Sequence, residues 1–418
     1  MRLTMSERSA VIRRTYQRYQ RAGRSEKSKI LDEFVLLSGY SRAYAALVLR
    51  SWGRTVEGKR SHGPLRFVAG CPPRPGRGAP RIYGPEVLTV LERLWMLCDC
   101  MCGKLLASAI RTLLPVYQKW GEIKVDDEVR EKLLTISPAT IDRLLSPTRR
   151  RMFAPTANSH TRPGPDALRN RIPVRTFEEW DRSIIGQMQA DLVGHDGGIS
   201  YGEFAFTCTL TDIATGWTEL RVLRNKARKW VAIALDQMRE SLPFPMLSLG
   251  TDCGSEFIND HLYSWCTAHQ IAMSHTRPYR KNDNCYVEQK NGAVVRRAAA
   301  HLRYDTEAER ALLGAIYQRQ SVLTNYFYPT MVLESKTRRG SKTHRNYSQP
   351  KTPAQRLLDS GSLGETQQQR LRSVFTQTNP AELKRQVVDL QQQLFSMASS
   401  KPPPRVKIPG RRIEIHAH

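Results

Sequence analysis

Met246-Leu247-Ser248-Leu249-Gly250-Thr251-Asp252-Cys253-Gly254-Ser255-Glu256-Phe257 is the stretch on which the fold turns. Its apolar run is too short for a helix, and an acid followed by Gly closes it, so it reads as a buried strand ending in a turn. Moving toward the N-terminus, a helix is expected from about Ala227 to Ser241. Before it come strands at Trp217 to Leu223, Phe204 to Leu210 and Met188 to Val193, the last closed by Gly194-His195-Asp196-Gly197-Gly198. Toward the C-terminus, a helix from about Glu256 to His269, a strand Ile271 to Ser274, and helices from about Asn284 to Leu302 and Thr306 to Asn325 are expected. Three meandering strands followed by alternating helix and strand predict an α/β domain with a five-stranded mixed sheet and helices on its faces.

Around this centre the chain is strongly basic. The 418 residues carry 65 Lys+Arg against 39 Asp+Glu, a net charge of +26, with ordinary hydrophobic (40%) and charged (25%) contents. That length suggests two to four domains, and the composition excludes a disordered, collagen-like or disulfide-stapled chain. No run of eighteen apolar residues occurs and Met1-Arg2-Leu3-Thr4-Met5-Ser6-Glu7 passes straight into charge, so neither a membrane span nor export is expected. The expected location is the cytoplasm, associated with the nucleoid. Residues 1–80 hold 17 basic and 5 acidic side chains and residues 304–418 hold 18 and 9, whereas 184–303 hold 13 and 12. Basic ends around a near-neutral centre point to a polyanionic partner, DNA ahead of an acidic membrane. The eight cysteines lack the paired spacing of a zinc site, and Cys98, Cys100 and Cys102 alternate within a helix-like stretch, so reduced thiols are expected.

The organisation read from these patterns is multidomain. Residues 1–57 form a helix-turn-helix DNA-binding domain: Ser25 to Leu37 has helical apolar spacing, Ser38-Gly39-Tyr40 breaks it, and Ser41 caps a second helix through Arg50. Arg42, Tyr44 and Arg50 are its candidate DNA contacts. Residues 58–84 read as a Gly/Pro/Arg linker, and 85–150 as a second helical, helix-turn-helix-like DNA-binding domain with helices Glu86 to Leu114 and Glu128 to Leu145. Within the latter, Ser137 caps a helix that has Pro138 at its first position. Residues 151–183 read as a connector, 184–328 as the α/β domain, 329–400 as a small basic C-terminal region with a helix opening at Asn379-Pro380, and 401–418 as a flexible tail. The run Lys336 to Arg345 reads as a basic loop, and the fold of 330–375 is not legible.

Asp191 lies near the end of the first strand of the α/β domain, Asp252 just beyond the fourth, and Glu288 near the start of the following helix. First and fourth strands are neighbours in such an order, so the three acids can converge. Convergent carboxylates without a balancing base make an oxygen-rich site suited to two divalent cations. The 35 residues between Asp252 and Glu288 carry little weight alone; their setting carries more, since Glu288 sits just inside a helix with basic residues on both sides. Lys281 and Lys290 flank that helix start as candidate DNA-backbone contacts. Asp212 begins a Thr-Asp-Ile-Ala-Thr-Gly turn, and Asp283 and His195 are likewise better read as turn or supporting residues than as ligands or bases.

Gln189-Ala190-Asp191, Thr211-Asp212 with Thr215-Gly216-Trp217, Thr251 to Phe257, and Asn282-Asp283 leading to Glu288 together resemble the catalytic core of bacterial insertion-sequence DDE transposases and retroviral integrases. The resemblance is strong over about Gln187 to Leu302 and is closer to the insertion-sequence branch. It implies a ribonuclease-H-like fold, with Asp191, Asp252 and Glu288 as catalytic and metal ligands for two Mg2+ ions, Mn2+ substituting. It also implies hydrolysis at the element's 3′ ends followed by 3′-OH strand transfer into target DNA, by a homo-multimer assembled on double-stranded DNA. Two other readings stay open: a catalytically silent DNA-binding repressor that keeps the fold as scaffold, and a ribonuclease-H-type nuclease without joining activity.

Overall fold

Helices α1 (Met5–Arg21), α2 (Arg24–Ser38) and α3 (Arg42–Ser51) close around Ile12, Tyr19, Ile30, Phe34, Ala45 and Leu49 in the computed structural model of the chain, which describes residues 5–52, 55–60, 63–68, 82–152, 180–277, 283–339 and 342–399. α2 ends where Gly39 takes a left-handed conformation (φ 70°), and the Ser41 hydroxyl accepts from the Tyr44 N–H to start α3. A short turn therefore joins the two helices, as expected for 25–50. The leading helix α1, which supplies a third of this core, had no cap or breaker to announce it.

Two strands, β1 (Thr55–Arg60) and β2 (Gly63–Val68), then pair antiparallel from Thr55↔Val68 to Arg60↔Gly63. They occupy the first part of the stretch expected to be a linker. A ribbon of two strands has only edges, and an edge tolerates Gly58 and Pro64 where a sheet interior would not. The rest of that stretch up to residue 81, most of the 151–183 connector and the 401–418 tail lie outside the described residues.

The chain divides into two compact units, Met1–Ile82 and Tyr83–His418. The second opens with α4 (Pro85–Leu97), α5 (Gly103–Lys119), α6 (Asp127–Thr135) and α7 (Pro138–Met152), the last started by the Ser137 hydroxyl, which accepts from the Thr140 N–H at 3.2 Å. The helix expected over 86–114 is broken at 98–102, because Asp99 and Cys100 both sit at positive φ (55° and 53°). The cysteine triplet thus lies across a turn. Asp99 earns this strained conformation through its partners: its carboxylate receives Lys384 Nζ at 2.8 Å and Arg297 at 3.2 Å.

The sheet follows: β3 (Gln187–Gly194), β4 (Phe206–Asp212), β5 (Thr218–Leu223), β6 (Ser248–Thr251) and β7 (Ala272–His275), in the order β5-β4-β3-β6-β7. β3 is antiparallel to β4 and parallel to β6, so the first and fourth strands are neighbours, and the architecture is the ribonuclease-H-like one. α8 (Arg228–Ser241) and α9 (Asp260–Ala268) cover the face carrying Met188, Ala190 and Leu249. On the other face lie α10 (Cys285–Lys290), a π-helical turn (Asn291–Val295), α11 (Arg296–Ala299) and α12 (Glu307–Val322). The π-turn interrupts the helix expected over 284–302.

Residues 330–375 contain a hairpin, β8 (Leu333–Arg339) with β9 (Lys342–Tyr347), and helices α13 (Pro353–Asp359) and α14 (Glu365–Gln377). The basic run expected as a loop is this hairpin. α15 (Pro380–Ser399) then packs on α12, burying Ala381, Val387 and Leu394 in the same core as Leu94, Leu113, Val193 and Tyr317. Helices α4–α7, one sheet face and α15 therefore share one hydrophobic core. Among the described residues no helix is long and apolar enough to cross a membrane.

Asp99 ties three parts of this unit together. Burial alone would raise its carboxyl, but Lys384 and Arg297 outweigh burial and hold it below its ordinary value. Asp99→Asn should therefore cost about 1–3 kcal/mol at pH 7. The gap between wild type and variant should close as pH falls below the ordinary carboxylate value of ~4, because a carboxyl held low stabilises only while ionised. Thermal melts across that range check this; a gap unchanged at pH 3 rules the assignment out.

Candidate active site

Side chains alternate along β3, so Met188 and Ala190 enter the core beneath α8 while Gln189 and Asp191 point to the opposite face. The register Gln189↔Gly250 in the parallel pair places Asp191 beside Asp252, two residues further along each strand. Asp252 leaves β6 into a turn and accepts the Gly254 N–H at 3.0 Å. Behind it Cys253 is fixed to the Thr276 carbonyl at 3.0 Å.

Glu288 comes from α10, and Gln189 sets where that helix begins. The buried Gln189 amide donates to the Asp283 carbonyl at 2.9 Å, and its oxygen accepts the Tyr286 and Val287 N–H groups at 3.2 and 3.4 Å. These are helix-start donors with no partner inside the helix. One turn after Glu288, Asn291 donates to Asp191 Oδ2 at 2.6 Å, while the Leu192 N–H donates to Oδ1 at 2.8 Å. Asn291 opens the π-turn, and its own side-chain oxygen is buried without a hydrogen-bond partner. Single π-turns of this kind concentrate at functional sites.

The electrostatics bind the three acids into one system. The Asp191 carboxyl is pushed up to about 8, first by burial, then by the charges of Asp252 and Glu288. The Asp252 carboxyl is also raised, by burial and by the nearby Glu256. No ion pair with Lys, Arg or His neutralises Asp191 or Asp252 among the described residues. Carboxylate oxygens gathered in this way fit a hard divalent cation. Among the described residues, no three acid, thiol or imidazole groups already stand close enough to ligate one ion together. Glu288 is exposed, unlike the half-buried Asp191 and Asp252.

Other acids have structural work. Asp212 accepts from Thr215 N–H and hydroxyl, both at 2.7 Å, and from the Gly186 N–H at 2.8 Å, closing the turn after β4. Asp283 is buried and takes a forked pair of bonds from Arg277 at 2.8 and 2.9 Å. His195 bonds Thr207 in the core, and burial pushes its imidazole down to about 3, so it is neutral.

Of the expected DNA contacts, Lys281 lies outside the described residues. Lys290 is not on a surface: it is 7% exposed and enters a cavity lined also by Arg356, Gly216 and Thr330. On α3, Arg42 bonds Ser28 at 2.7 Å and pairs with Asp32 of α2, Tyr44 is half exposed against Tyr40, and Arg50 is exposed and bonds the Ala46 carbonyl. Gln189 stood in the Gln189-Ala190-Asp191 motif with no role of its own, and the one signal for Asn291 was its position one turn after Glu288.

Comparison with known proteins matches residues 183–281 to the integrase core domain family. That segment holds Asp191 and Asp252 and stops seven residues before Glu288. The chain is 38% identical over 356 residues to the uncharacterized protein y4rM of Sinorhizobium fredii (strain NBRC 101917 / NGR234), covering 85% of this chain and 96% of the relative. The chain belongs to one family with y4rM, built on an integrase core. A solved structure of the catalytic core domain of BIV integrase aligns with 42% of this chain and 95% of that one, at 17% identity and a TM-score of 0.29. In this integrase-core protein the matched segment begins just before β3 and ends beyond β7, so it contains all five strands of the sheet.

Proposed function

We propose that this integrase-core protein is a DDE transposase of a mobile element, with Asp191, Asp252 and Glu288 as its catalytic acids. The carrying observation is electrostatic: Asp191 is burdened at once by Asp252 and Glu288, from the adjacent strand and the facing helix, with no cationic side chain among the described residues paired to relieve it. The proposed substrate is double-stranded DNA, first the element's ends and then a target, bound by a multimer that brings two ends together. Integrase cores act on nucleic-acid phosphodiesters with divalent metals, which supports this reading.

Asp191, Asp252 and Glu288 would hold the ions, Mg2+ or substituting Mn2+, two per site. Such ions, when bound, activate a water or a 3′-hydroxyl and stabilise the departing 3′-oxygen. The chain supplies the rest through position. Asn291 and the Leu192 N–H fix both oxygens of Asp191, Gln189 sets the helix that carries Glu288, and the Gly254 N–H orients Asp252. Glu288, exposed on α10, would turn toward the two aspartates to complete such a ligand set. Pre-set geometry of this kind lowers the entropic part of the barrier for in-line displacement.

The helix-turn-helix unit is the proposed end-binding module, with Arg42, Tyr44 and Arg50 on its second helix. With a net charge of +26, affinity for duplex DNA should fall steeply with salt, by about 10³-fold or more between 50 and 200 mM if six or more phosphates are contacted. A nearly flat dependence in a fluorescence-anisotropy titration would refute it. The reading as a whole is tested by giving the purified protein, with Mg2+, the DNA ends that flank its reading frame. Nicked and joined products support a transposase, nicks alone a nuclease, and binding without either product in Mg2+ or Mn2+ the silent repressor.

A further inference from the structure

The segment that brings Glu288 and Asn291 to Asp191 presents Lys290 to a cavity of about 530 Å³. At one corner of it Lys290 Nζ, Arg356 Nη1 and the Thr330 hydroxyl stand 3.7, 3.9 and 3.9 Å from the point where a Cβ on Gly216 would lie. Gly216 has a φ of 75°, so the turn it closes requires glycine, and the glycine leaves that point empty. Away from this corner, Val294, Tyr328 and Met331 are among the apolar and aromatic walls.

The corner has charge without an answer to it. Lys290 is 7% exposed, and among the described residues no carboxylate pairs with it. Among the described residues Arg356 is fixed by neutral oxygens: the Thr215 carbonyl at 3.0 Å, the Thr330 hydroxyl at 2.9 Å and the Thr330 carbonyl. A buried ammonium is costly unless paired, and a half-buried guanidinium beside it adds to the cost. An apolar side chain of similar length would serve the core better, so the lysine is explained by an anion that enters. An ammonium and a hydroxyl facing one point, with the positive charge of the Arg356 guanidinium beside them, suit a tetrahedral oxyanion.

We propose that this cavity is a nucleotide-binding pocket, separate from the carboxylate site, in which Lys290 and Arg356 hold the phosphate and the apolar walls take the base. The volume is that of a small-molecule site, and aromatic walls accept any base by stacking. The nucleotide is either free in solution or an unpaired residue of a DNA strand; the chemistry of the pocket is the same for both.

The test is calorimetric titration of the full-length protein with dAMP, deoxyadenosine and inorganic phosphate. dAMP binds, and each half alone binds at least about tenfold more weakly. Lys290→Met weakens dAMP by at least about tenfold, while its thermal midpoint without nucleotide is no lower than that of wild type, because an uncompensated charge has been removed. Glu288→Gln leaves dAMP binding unchanged, so this result stands even if the catalytic assignment fails. A duplex with unpaired 3′ nucleotides that displaces dAMP, where a blunt duplex does not, makes the strand the natural source; failure of both duplexes makes it a free nucleotide. No binding of dAMP at millimolar concentration, equal affinity in Lys290→Met, or phosphate binding as tightly as dAMP each overturns the assignment.

Discussion

Asp191→Asn, Asp252→Asn and Glu288→Gln each lower Mg2+-dependent nicking and joining by at least about 10³-fold, roughly 4 kcal/mol of barrier, while duplex binding holds. Residues that act as a unit lose nearly everything when one is removed, so the double variants should be little worse than the singles. Activity persisting in any one removes that residue from the site. The same variants carry a second readout that needs no DNA. With Asp191 pushed up to about 8, its folded state binds the proton more tightly than the unfolded chain does. In metal-free buffer the wild type should therefore lose stability as pH rises from about 4 to about 8. Asp191→Asn should flatten that slope at neutral pH and melt higher than wild type. Added Mg2+ should raise the wild-type midpoint by mass action and leave Asp191→Asn less affected. A midpoint indifferent to Mg2+ in every variant would separate these acids from metal binding.

Gln189→Leu has the next largest expected effect. The substitution keeps the volume but removes one donor and one acceptor that together satisfy the Asp283 carbonyl and the Tyr286 and Val287 N–H groups. Unsatisfied buried groups cost about 1–3 kcal/mol each, so with three of them a loss of at least about 3 kcal/mol in folding stability is expected. Misplacing Glu288 by an ångström should lower turnover by about 10²-fold at temperatures where the variant is still folded. Gln189→Glu retains the acceptor for the two N–H groups and should recover part of the stability but not the activity, since it adds a fourth acid beside Asp191. Equal turnover in wild type and Gln189→Leu, measured with folded protein, would show that the helix start is set by something else.

The sheet was legible because each strand is an apolar run closed by a Gly-containing turn, and the acids could be placed because they stand at strand ends. What was not legible depends on tertiary neighbours. Asp99 and Cys100 adopt left-handed conformations that their residue types do not announce, held by Lys384 and Arg297 from 285 and 198 residues away. Lys290 reads as a surface lysine in any local window; only the fold buries it. Gln189 is one polar residue in a strand, and its partners lie 94 to 98 residues further on. The hairpin at 55–68 was masked by the composition that usually signals a tether.

The shared core of residues 83–418 bears on how such proteins diversify. Leu94, Val193, Tyr317 and Leu394 are buried in one cluster although they come from α4, the sheet, α12 and α15. A recombination breakpoint anywhere among them would pair surfaces that had never been fitted to each other. The three-helix unit at 5–52 closes on its own side chains. Lineages of this family are therefore expected to exchange or remodel that front segment freely, while the elements that share the second unit's core are inherited as a block and change only by substitutions compatible with one common interior.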